Sequence, residues 1–298
     1  MRALPFLVAL LAQPALADVP RVVADTPLVQ SLAAAVMGDL GAPGLLLDPG
    51  ADAHDFQLRP SQRAALGDAE IVFWVGPEFT PWLERALQAA TPDQTVALLA
   101  VAGTRLREWD GTEGDSHADS HDHGAIDPHA WLDPDNAVVW LDAIAEALTR
   151  QDGANSGAYL ANAAAAKVAI QGLAAEIAAE LDGAPRAPIV VAHDALGYFA
   201  DRFGLIIAAS VATGDAAAPG AGHLSEVRAR LQAGEAACVF PEAGTDPKTI
   251  ETLAQGTPAR IGGALDPEGR AMEPGPELYV QVLRHTAETI RDCLNAAP

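Results

Sequence analysis

The chain is poor in lysine, cysteine and aromatic side chains, and each shortage removes a class of function. Of its 298 residues only 18 are Lys or Arg, against 40 Asp or Glu, for a formal charge of −22. Lys167 and Lys248 are the only lysines. A nucleic-acid partner calls for a basic face, so this balance argues against one. The acidity fits a protein whose field draws in cations, and equally one that is kept soluble by its charge. Cys238 and Cys293 are the only cysteines, too far apart to form a CysxxCys metal pair. The HisGluxxHis pair of helical zinc hydrolases is absent. No run reaches the roughly 20 apolar residues that span a bilayer. The apolar stretch Ala3–Ala12 is interrupted by Pro5, follows Arg2 and precedes the small-x-small triplet Ala15-Leu16-Ala17. That layout reads as a secretory signal peptide over residues 1–17; a buried N-terminal strand is the competing reading. Export places the two cysteines in an oxidising compartment, where one Cys238–Cys293 disulfide is expected. No lipobox cysteine follows the leader, so a free periplasmic protein is expected.

Short β-rich runs alternate with helical patterns, which predicts parallel sheets covered by helices. In the first half, Arg21–Ala24, Leu45–Leu47 and Glu70–Val75 read as strands, with helices over Pro27–Met37, Pro60–Leu66 and Pro81–Ala90. In the second half, strands are expected at Ile189–Ala192, Leu205–Ser210, Ala237–Phe240 and Ala259–Ile261. Helices are expected there at Leu196–Phe203, Leu224–Ala233, Pro247–Gln255 and Pro276–Leu294. Between the halves, Pro134–Arg150 and Asn155–Leu181 read as helices, the second extending about 40 Å at 1.5 Å per residue. The predicted division is an N-terminal α/β lobe over residues 18–134, connecting helices over 135–182 with a long linker helix at 155–181, and a C-terminal α/β lobe over 183–298. Residues 113–124 interrupt the first lobe with a polar loop that carries His117, His121 and His123 among carboxylates.

Three other histidines follow apolar strands or sit in tight turns: His54 in AHDF, His129 in DPHAWLDP and His193 directly after IVVA. Asp266, in ALDPEG, follows the expected strand at Ala259–Ile261. Ligands of open α/β sheets bind beyond the carboxyl ends of the strands, so these four are candidates to converge between lobes. Neutral imidazoles with one carboxylate suit Zn²⁺, which takes four ligands tetrahedrally, whereas Mn²⁺ favours more oxygen. Spacing alone does not assemble such a site, and each histidine taken singly also reads as an ordinary polar residue.

The segments around these residues resemble the zinc/manganese substrate-binding proteins of ABC importers, the cluster A-I family, over nearly the whole chain after the leader. Residues 51–61 (ADAHDFQLRPS), 127–134 (DPHAWLDP) and 192–204 (AHDALGYFADRFG) resemble that family's ligand loops, and 265–269 (LDPEG) resembles its late signature. The resemblance implies two parallel-sheet α/β lobes joined by a long rigid helix, with the metal at the lobe interface. It implies His54, His129, His193 and Asp266 as ligands, and the zinc branch, since manganese members tend to carry Glu where His193 stands. It also implies a carrier that delivers Zn²⁺ to a membrane permease; a monomer is expected, and four protein ligands, which leave no open position on zinc, argue against an enzyme.

Metal-bound imidazoles usually donate their second N–H to a carboxylate or carbonyl, and Asp55, Asp127, Asp194 and Glu242 are candidates for that role. Trp131 and Phe56 are expected as apolar walls, His223 and His285 as structural residues. The loop histidines His117, His121 and His123 read either as a secondary zinc collector, loading the main site or receiving metal from a periplasmic chaperone, or as incidental members of a solvated acidic tether. Two other functions compete: a secreted zinc hydrolase or lyase, needing an open coordination position and a base such as Glu242 or Asp194, and an adhesin-like metal-binding surface protein.

Overall fold

The computed structural model describes residues 19–48, 50–53, 56–88, 90–109, 126–212 and 219–296. The leader (residues 1–17), His54, Asp55 and the loop histidines His117, His121 and His123 lie outside the described residues.

The first sheet is built from β1 (Val22–Ala24), β2 (Gly44–Leu45), β3 (Ile71–Trp74) and β4 (Thr95–Ala97), all parallel in the order β2-β1-β3-β4. β1 and β3 are uninterrupted apolar runs because helices cover both faces of the sheet. The turn after β1 begins α1 (Pro27–Met37): Thr26 caps it by accepting the Val29 N–H at 3.3 Å, and Pro27 sits where its missing N–H costs nothing. α2 (Pro60–Asp68) and α3 (Pro81–Leu87) complete this lobe. The sequence reading did not anticipate β4, a half-buried edge strand of three residues.

The second sheet repeats the plan with β5 (Ile189–His193), β6 (Ile207–Ala212), β7 (Cys238–Phe240) and β8 (Arg260–Ile261), parallel in the order β6-β5-β7-β8. Its helices are α6 (Gly197–Phe203), α7 (Ala221–Gln232), α8 (Lys248–Ala254) and α9 (Leu278–Asn295). Cys238 of β7 and Cys293 of α9 form the expected disulfide, closing a span of 55 residues.

Between the sheets run α4 (Pro134–Gln151) and the 27-residue α5 (Ser156–Asp182). α5 packs on α1 and α4 and also on α6 and α9. Its buried residues, among them Tyr159, Ile170, Leu173 and Ile177, belong to one apolar cluster that also takes in Phe73 from the first sheet and Phe240 from the second. α9 adds direct ties between lobes: the Ser31 hydroxyl donates to the Pro276 carbonyl and accepts from the Tyr279 N–H, while the Tyr279 hydroxyl donates to the Trp131 carbonyl at 2.7 Å. No helix among the described residues is long and apolar enough to cross a membrane.

Candidate metal centre

Three side chains from three distant segments meet where the lobes face each other. His193 is the last residue of β5, His129 immediately precedes a short 3-10 turn (Ala130–Leu132), and Glu268 lies in the turn after β8. One ligand atom from each lies within 4.8 Å of the other two. A tetrahedral zinc shell at 2.0–2.2 Å sets its ligand atoms about 3.4 Å apart, so a small contraction of this envelope encloses an ion. His129 is fully buried and the Glu268 side chain is 5 % exposed, with His193 at 11 %.

Carboxylates orient both imidazoles. His129 Nδ1 lies 2.9 Å from Asp127 Oδ1, which also accepts the His129 backbone N–H. His193 Nδ1 lies 3.3 Å from Glu242 Oε2. With the proton on Nδ1 facing a carboxylate, each neutral ring carries its lone pair on Nε2, the tautomer a metal requires. Asp127 is itself fixed: Arg107 pairs with it at 3.3 Å, and the Tyr198 hydroxyl accepts the Arg107 N–H and donates to the Asp127 carbonyl. Of the four carboxylates the sequence offered for this role, Asp127 and Glu242 perform it among the described residues. Asp194 remains beside the site, its carboxyl pushed up by burial and by the Asp127 charge.

Asp266 does not join the three converging groups. Its two oxygens accept the backbone N–H groups of Arg270 and Ala271, each at 2.9 Å, and its carbonyl accepts from Gly269. That turn needs the left-handed conformation of Gly269, φ +69°, and it presents Glu268 to the histidines. The Trp131 indole N–H donates to the Pro267 carbonyl at 2.9 Å, tying the Glu268 turn to the His129 turn. Sequence reasoning passed over Glu268 although it stands in the same short motif; the signal available was a second carboxylate two residues after Asp266.

Burial pushes the Glu268 carboxyl up to about 7 against the opposing pull of Arg270. Burial would also raise Glu242, but His193 and Arg270 outweigh it and hold that carboxyl below its ordinary value. Aromatic rings wall the centre: Phe79, Trp109 and Trp131 each stand edge-on to His129 at centroid distances of 5.7, 5.9 and 5.2 Å. Phe56 packs on Trp82, whose indole N–H donates to the Ala53 carbonyl at 2.7 Å. His223 and His285 keep away from the centre, each set against a backbone carbonyl, of Ser210 and Ala264 respectively. An antiparallel bridge joins Glu108 to Ile126.

Two imidazoles, each with Nδ1 set against a carboxylate, and a third carboxylate form a donor set for a borderline divalent cation. Known proteins agree. The family described as zinc-uptake complex component A, periplasmic, matches residues 22–293. A high-affinity zinc uptake system protein ZnuA from Paracoccus denitrificans is 44 % identical over 309 residues, covering 96 % of this chain and 95 % of that protein. Its counterpart in Brucella suis is 31 % identical, covering 92 % and 91 %. Among solved structures, a ZnuA deletion mutant with zinc bound superposes with a TM-score of 0.78 at 25 % identity, covering 94 % of this chain and all of that one. A manganese-bound binding protein from Pseudomonas aeruginosa superposes equally well at 20 % identity, a likeness of fold alone.

Proposed function

The chain belongs to the family of periplasmic zinc-uptake components, and from that premise we propose that its lobe interface captures Zn²⁺ through His129, His193 and Glu268 together with His54. It is a zinc-binding protein of an ABC import system and not an enzyme. The carrying observation is the buried convergence of His129, His193 and Glu268, with both imidazoles turned by carboxylates so that Nε2 is the coordinating nitrogen. His54, outside the described residues, is included on the family resemblance, and the pairing of Asp52 with Arg270, which also holds Glu268, supports it. Glu268 takes the place first given to Asp266, whose oxygens serve the backbone. Four protein ligands leave zinc no open position for a reacting water, as befits a carrier that must hold its cargo unchanged.

Residues 1–17 are removed on export, the mature chain works as a monomer, and its partner is the membrane permease. His117, His121 and His123 collect zinc at lower affinity and receive it from a periplasmic donor.

Calorimetric titration of the mature protein tests the reading. One tight equivalent of zinc is expected, weakened by at least about 100-fold in His193→Ala; near-native affinity in that variant refutes the site. A chain lacking residues 114–124 is expected to keep the tight equivalent and lose the weaker ones. Loss of the tight equivalent would move the site into the loop.

A further inference from the structure

One guanidinium joins three carboxylates that come from three separate segments around the centre. Arg270 Nη2 lies 2.5 Å from Glu242 Oε1 and 3.4 Å from Glu268 Oε1, while Nη1 lies 3.8 Å from Asp52 Oδ2. Its side chain is 15 % exposed, and its own backbone N–H is held by Asp266. The fork geometry of arginine meets two carboxylates at once in a way that the point charge of lysine does not.

Building on the zinc site proposed above, we propose that Arg270 is a specificity-determining positioning residue, which restricts Glu268 to one coordinating oxygen and so keeps the centre four-coordinate. Two contacts produce this effect. By engaging Glu268 Oε1, Arg270 opposes the bidentate binding that would give the ion a second oxygen. By engaging Glu242 Oε1, it holds Glu242 Oε2 against His193 Nδ1 and fixes the imidazole so that a nitrogen fills the remaining corner. A shell of nitrogens with a single oxygen suits Zn²⁺, while Mn²⁺ favours additional oxygens and higher coordination numbers. The contact to Asp52 brings the same restraint to the first lobe, so an oxygen-rich shell would have to break a tie between lobes.

The test compares the wild type with Arg270→Met and Arg270→Lys, using Zn²⁺, Mn²⁺ and Co²⁺. Arg270→Met is expected to lower the ratio of zinc to manganese affinity by at least tenfold. Its Co²⁺ complex should lose the strong visible bands of tetrahedral cobalt, and Arg270→Lys should restore only part of either property. An unchanged affinity ratio and an unchanged cobalt spectrum in Arg270→Met overturn the inference. Wild-type protein that fails to bind zinc at one equivalent instead overturns the site itself, so the two failures are distinct. Should Arg270→Met not fold, X-ray absorption on zinc-loaded wild type decides: four-coordinate zinc supports the inference, and a bidentate carboxylate in a five-coordinate shell overturns it.

Discussion

At the residue scale, the two acids of one short turn divide the labour. Asp266 ties down the backbone of Arg270 and Ala271, and Glu268 faces the histidines. Glu268→Gln is therefore expected to weaken zinc binding by about 10- to 100-fold with little change in the melting temperature of the metal-free protein. Asp266→Asn is expected to lower that temperature, because a buried amide would be left without its acceptor at a cost of about 1–3 kcal/mol. Calorimetry and thermal melts on the two variants check the assignment, and a reversed pattern would return Asp266 to the metal. The sequence reading chooses Asp266 in this turn, and no local pattern sets it apart from Glu268. Which acid turns inward depends on Trp131 and Arg270, the first 136 residues away through its bond to Pro267, the second two residues along the same turn from Glu268. The same holds for Asp127 and Glu242, named among four candidates and separated only by where the chain brings them.

Asp25, at the end of β1, gives a second prediction at this scale. It is fully buried and accepts from the Thr26 and Val75 N–H groups and the Thr80 hydroxyl. Burial nevertheless pushes its carboxyl up to about 7. Between the ordinary value of 3.8 and about 7, the folded protein then holds a proton that the unfolded chain has released. Stability consequently falls as pH rises through that window, by on the order of 4 kcal/mol in all. Urea unfolding of the metal-free protein from pH 4 to 8 should show this slope together with that of Glu268, whose carboxyl is also raised to about 7, and Asp25→Asn should reduce it. A variant that retains the wild-type slope would assign the slope to other groups.

At the scale of elements, helix ends were legible wherever the cap is local. α1 runs from Pro27 to Met37 as read from the sequence, since Thr26, Pro27 and Gly38 mark its limits within the chain itself. β4 was not legible: three residues, half-buried at a sheet edge, carry too little pattern to distinguish a strand from a loop. The disulfide joins the central strand β7 to the terminal helix α9 and closes 55 residues. Its loss should cost about 4 kcal/mol through the freed entropy of the unfolded chain. Because Cys238 and Cys293 lie outside the metal cluster, the paired Cys238→Ser, Cys293→Ser variant should unfold at lower urea yet titrate with one zinc at near-native affinity. Loss of zinc binding at temperatures where the variant remains folded would mean that the bridge shapes the centre.

At the scale of the molecule, two sheets of the same plan are joined by one apolar cluster that takes in Phe73, residues of α5 and Phe240. The three converging groups come from both sides: His129 precedes α4, His193 ends β5 and Glu268 follows β8. The alternation of strands and helices announced this architecture, because buried parallel strands must be apolar throughout and separated by crossover helices. The meeting of the three side chains rests on the lobe contacts through Ser31, Trp131 and Tyr279, which no local pattern encodes. The most direct measurement is anomalous diffraction at the zinc edge from crystals of the zinc-loaded protein. A single strong peak about 2.0–2.2 Å from His129 Nε2, His193 Nε2 and a Glu268 oxygen is the predicted result. A peak bound by Asp266 in place of Glu268, or one lying away from His129 and His193, would contradict it.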